Sequence, residues 1–157
     1  MPSLQSQFLT SKGKPISIDG TQVSLMDRIN INQGIVNVRF LSRGGDHLQG
    51  VTLKSPKGYV RLSDGTGVGR VNIWDEPELP RFVKHQVFCP DGELRLWNIY
   101  KATSDPDHGQ ADAWTNNAGM LVDQLGKYAR RYRCSDGIGE FNPEDIVFEI
   151  EWQESPA

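Results

Sequence analysis

The chain is short of cysteine, histidine, long apolar runs and excess positive charge, and each shortage removes a class of protein. It has two cysteines, Cys89 and Cys134, with no zinc-like CxxC spacing and too few thiols for a disulfide scaffold. They read as reduced structural thiols, with a single disulfide as the alternative. No segment approaches the roughly 20 apolar residues of a membrane helix, and no basic start leads into an apolar run. The expectation is a cytoplasmic protein without a membrane partner. Seventeen basic residues stand against 20 acidic ones, for a formal charge of -3. That balance argues against broad nucleic-acid binding, which needs a strongly basic face, so no nucleic-acid partner is predicted and only a local basic patch stays open.

What is present is enough for a folded domain. The 157 residues fit one domain, 1–157, with residues 1–13 read as a flexible N-terminal segment. A domain of this size buries roughly 70% of its unfolded surface and needs neither metal nor cofactor to hold its core. Sixteen glycines and nine prolines fall at short intervals between alternating segments, the pattern of an antiparallel all-β protein.

The clearest strand is Ile146 to Trp152, with Ile146, Phe148, Ile150 and Trp152 on one face. Val36, Val38 and Phe40 alternate in a second strand, and Gly44-Gly45 after it predicts a hairpin into Leu48 to Lys54. Further strands are predicted at Ile16 to Ile18, Thr21 to Leu25, Gly58 to Ser63, Gly69 to Trp74, Arg81 to Phe88 and Glu93 to Tyr100. Ala118 to Cys134 also fits a helical stripe, but Gly119 and Gly126 each cost a helix about 1 kcal/mol, which favours a hairpin of Met120 to Asp123 with Lys127 to Cys134. Asp-Gly pairs beginning at Asp19, Asp64, Asp91 and Asp136 mark recurrent turns rather than duplication. About ten strands without alternating helices predict a β-sandwich or a closed β-barrel, since each sheet must bury its apolar face.

Few residues carry chemistry. Asp105 to Asp112 gathers carboxylates that partly resemble a calcium loop, but the closing bidentate glutamate is missing, and the segment reads as a surface loop with no metal. Gly65 to Gly69 lacks the lysine and the following helix of a phosphate cradle. Of His47, His85 and His108, only His85 lies on an apolar strand face, beside Val83 and Val87, where it must find a hydrogen-bond partner. It reads as a satisfied core histidine or, alternatively, as a general acid or base. Arg130 shares a face with Tyr128 and Tyr132 and points to either an internal ion pair or a carboxylate ligand. Trp152 is in phase with the core, Trp74 and Trp97 face either the core or a cleft, and Trp114 sits in a polar loop with Asn116.

Three functions follow as expectations. The first is a small-molecule-binding domain whose pocket is lined by Trp114, Trp97, Arg130, Tyr132 and Asn116, for an organic ligand with an anionic group. The second is a cofactor-independent isomerase or cyclase using the same pocket, with His85 moving a proton. The third is a protein-interaction module whose edge strands add to a partner sheet, and a homo-oligomer is compatible with each.

Overall fold

A computed structural model describes residues 3–18, 20–44, 47–101, 112–114 and 117–155. These described residues form one helix, α1 (Leu4–Ser11), and thirteen strands. The strands are β1 (Ile16–Ile18), β2 (Thr21–Val23), β3 (Asp27–Asn30), β4 (Gln33–Arg43), β5 (Gln49–Lys54), β6 (Tyr59–Arg61), β7 (Gly67–Val68), β8 (Arg70–Trp74), β9 (Phe82–Phe88), β10 (Glu93–Tyr100), β11 (Gly119–Gly126), β12 (Ala129–Ser135) and β13 (Ile146–Glu154). A seven-stranded sheet, ordered β11-β12-β13-β4-β9-β6-β7, packs on a four-stranded sheet, ordered β3-β10-β5-β8, and β1-β2 form a separate ribbon. The fold is an all-β sandwich and not a closed barrel.

Alternation explains which face each strand turns inward. Val36, Val38 and Phe40 of β4 meet Leu94 and Leu96 of β10, Val51 and Leu53 of β5, and Ile146, Phe148 and Ile150 of β13 in one buried cluster. Fully burying each such side chain stabilises the fold by roughly 1.5–3 kcal/mol. Trp152 joins this core, as its phase requires. Residues 118–134 form the hairpin and not the helix: β11 and β12 pair antiparallel, with a register irregularity between Gln124 and Gly126. Among the described residues, no helix is long and apolar enough to cross a membrane.

Three expectations change. Residues 4–11, inside the segment read as flexible, form α1, capped at Ser3 by a side chain that accepts from the Ser6 N–H. Leu4 and Phe8, one helical turn apart, pack on Val23 and Leu121 in a second small core. The connection after β4 is no hairpin, because β4 pairs with β13 and β9 while β5 pairs with β10 and β8. The chain there passes from one sheet to the other. Finally, β3 is an additional strand, too short and polar for a period-two signal, that pairs along β10 from Glu93 to Leu96.

Candidate functional site

In β10, Leu94 and Leu96 point into the sandwich, so Trp97 points outward from the four-stranded sheet. It is nevertheless buried, because the indole of Trp114 lies against it with ring centroids 4.9 Å apart and planes at 49°. Trp114 itself is 40% exposed. Its φ of 61° puts a bulky side chain in the left-handed region, which costs backbone strain that the surrounding structure must offset.

The other side of Trp114 borders a groove of about 390 Å³ against α1, with Phe8, Leu9 and Leu25 as its apolar lining and Gln5 and Lys12 as its polar lining. Leu9 is 75% exposed. Lys12, the only other non-glycine residue with positive φ among the described residues, has a local cause: as the helix C-cap it donates its N–H to the Leu9 carbonyl. Trp114 has no such capping role.

Arg130 and Tyr132 lie elsewhere, on one carboxylate. The Tyr132 hydroxyl donates to Asp27 Oδ2 at 2.6 Å, and Arg130 Nη1 donates to the same oxygen at 2.7 Å. Arg130 also donates to the Arg28 carbonyl at 2.9 Å and, through Nε, to Gln124 Oε1 at 2.8 Å, while its guanidinium stands 5.2 Å from the Trp152 ring centre. Burial and then the neighbouring Asp27 push the Tyr132 phenol well above its usual value. Burial opposes the charge on Arg130, but Asp27 outweighs it and holds the guanidinium above its usual value. Of the two roles open to Arg130, the internal ion pair is the one formed. Neither Arg130 nor Tyr132 lines the groove at Trp114.

His85 is half-buried, with Nδ1 2.9 Å from the Arg61 carbonyl, so that nitrogen carries the proton and donates it. Among the described residues no carboxylate pairs with it. Asn116 lies outside the described residues, as do 105–111 of the acidic loop.

Sequence reasoning missed a buried polar cluster at one end of the sandwich. Gln49 Nε2 donates to Asp136 Oδ2 at 2.8 Å, the Asp136 N–H donates to Asp145 Oδ2 at 3.0 Å, and Asn142 Nδ2 donates to Asp145 Oδ1 at 3.2 Å. Asn98 Nδ2 donates to the Ser135 carbonyl beside them, whereas Gln49 Oε1 is buried without a partner. Burial, together with the charge and hydrogen bond of Asp136, pushes the Asp145 carboxyl up to about 6, and His47 and the Asp136 N–H only partly offset this. Burial and Asp145 raise the Cys134 thiol well above its usual value. A signal existed: Gln49 is in phase with Val51 and Leu53, and Asn98 with Leu94 and Leu96, which places both amides in the core.

No protein-family model, curated protein or solved structure matches this chain. Its function is therefore argued from its own geometry.

Proposed function

We propose that the chain is a small-molecule-binding domain and that its ligand lies in the groove between α1 and Trp114. The observation that carries this reading is Trp114: a tryptophan held at positive φ that packs on Trp97 and lines a largely apolar groove. Strain of that kind persists only where the surroundings impose it, and it concentrates at ligand sites. The groove falls in the volume range of small-ligand pockets and presents an apolar wall with few polar groups, which suits a ring or short aliphatic portion. Lys12 at its margin supplies a cation for an anionic end. The cytoplasm is the proposed location, supported by two buried cysteines that remain free thiols.

A panel of aryl carboxylates and their neutral amides tests the reading by tryptophan quenching and calorimetry. Carboxylates are expected to bind more tightly, and Trp114→Ala to weaken both series about tenfold. Lys12→Ala is expected to remove only the preference for carboxylates, by a few-fold, because an exposed pair contributes about 0.2–1 kcal/mol. Quenching that survives Trp114→Ala undiminished overturns the proposal.

A further inference from the structure

The outward face of the four-stranded sheet, where Trp97, Thr52 and Ile99 are buried and Trp114 lies on Trp97, carries a second feature beside the groove. Arg95 of β10 stands opposite Arg28 of β3 on one side and Lys54 of β5 on the other, and Lys54 stands opposite Arg70 of β8. These four cations form one row across all four strands. At about 4.8 Å between strands the row spans roughly 14 Å. Like charges placed directly opposite one another on a sheet are destabilising, so the row costs the free protein stability. Glu93 relieves part of this, at 3.4 Å from Arg28 Nε and 2.7 Å from Arg95 Nε. Among the described residues, Lys54 and Arg70 have no acidic partner.

The next rows are uncharged. Trp97, Thr52 and Asn72 lie in register, with Thr52 Oγ1 donating to Asn72 Oδ1 at 2.7 Å, and then Ile99, Gly50 and Trp74. A Cβ on Gly50 would collide with the Ile73 carbonyl oxygen and stand 3.0 Å from Trp74 Cε3, so the missing side chain is what lets both the β8 backbone and the indole approach this strand. Trp74 is half-buried, and Lys101 Nζ sits 5.1 Å from its ring centre. An aromatic platform thus lies two rows from a line of four cations and carries a fifth cation of its own.

We propose that this face binds single-stranded nucleic acid, with phosphates along Arg28, Arg95, Lys54 and Arg70 and a base stacked on Trp74. Cations that follow a backbone beside an aromatic ring that takes any base are the shared design of single-strand-binding surfaces. An acidic polypeptide would use the row and leave Trp74 idle. A duplex keeps its bases stacked away from the ring, and the net charge of -3 opposes indiscriminate attraction to it.

The test is fluorescence anisotropy of a labelled oligothymidylate of about ten nucleotides with the full chain at low salt, a length within the usual site size. A saturable rise with quenched tryptophan emission is expected, weakening as salt increases. Lys54→Glu with Arg70→Glu should reduce affinity at least tenfold and flatten the logarithmic salt slope by about 0.7 for each phosphate no longer neutralised. Lys54→Gln with Arg70→Gln should act in the same direction with a melting temperature that is not lowered, since it removes opposed like charges, which separates weakened binding from weakened folding. Trp74→Ala should cost about tenfold. Lys84→Glu, exposed on the other sheet, should change nothing. The proposal is overturned by no rise at low salt, by indifference to the Lys54 and Arg70 variants, by full affinity in Trp74→Ala, or by equal competition from polyglutamate or duplex DNA.

Discussion

Two polar nodes are built into this sandwich, and their charges are settled in opposite ways. At Asp27 one carboxylate receives a guanidinium and a phenol, so the negative charge meets a full positive one across 2.7 Å. At Asp136 and Asp145 two carboxyl groups share a buried site, and the direct donors around them are amides and backbone N–H groups rather than a guanidinium or ammonium. The first node is neutralised by a partner brought from another strand. The second has no such cation bonded to it, and burial together with the charge of Asp136 raises Asp145 to about 6. Burial alone therefore does not decide what a carboxylate does; the sign of its neighbours does.

Removing the shared acceptor should break the first node most severely. Asp27→Ala leaves Arg130 and Tyr132 without their common partner and is expected to cost about 3 kcal/mol in chemical denaturation. That is the low end for a broken buried pair, because the two charged side chains keep 19% and 21% of their exposure. Tyr132→Phe should cost less, about 1.5–2 kcal/mol, since the Arg130–Asp27 pair survives and only one hydrogen bond to a charged group is removed. An unchanged midpoint in Tyr132→Phe would mean the node is an ion pair alone.

The second node predicts the opposite sign. Because the folded-state value of Asp145 lies above the ordinary 3.8, the native protein holds the proton more tightly than the unfolded chain. The stability this contributes is complete below the ordinary value and is lost as pH rises towards about 6. Between those values the slope from this one group is at most about 1.4 kcal/mol per pH unit. Asp145→Asn should flatten that slope, while its single amide oxygen keeps only one of the two bonds from the Asp136 N–H and Asn142, with melting curves at about pH 4.5 and about pH 7 as the measurement. A pH slope that survives Asp145→Asn would show that the two nodes are alike after all. The smallest effect belongs to a partly exposed pair outside both nodes: Arg131→Ala, which frees Glu149 at 2.8 Å, should cost about 0.5–1 kcal/mol and lose part of that in high salt.

How far these nodes were legible depends on whether their cause is local. The strand faces were readable because alternation is a property of neighbours: Ile146, Phe148 and Ile150 declare their side without knowing what they pack on. The hairpin at 119–135 was readable for the same reason, from Gly119 and Gly126. The role of Arg130 was not, because its carboxylate comes from 103 residues away on β3, a four-residue strand reading Asp-Arg-Ile-Asn. The crossing after β4 escaped because alternation fixes a strand's face and leaves its sheet open. Helix α1 escaped because eight residues are too few to show a stripe, although Ser3 with Leu4 and Phe8 carries its cap and its buried face. The row of cations was hidden in plain composition: Arg28, Lys54, Arg70 and Arg95 lie far apart in the chain and meet only through strand register.

The place of β13 bears on how a ribosome delivers this fold. It lies between β12 and β4 and bonds to both, so the β11–β12 hairpin and the β4–β9 pair have no common sheet until Ile146 to Glu154 has emerged. A chain lacking that strand carries two open strand edges at once, on β12 and β4, the condition under which unfinished β proteins pair with one another. Completion of the seven-stranded sheet is a non-local step, since β13 must join β4, more than a hundred residues before it in the chain, to β12.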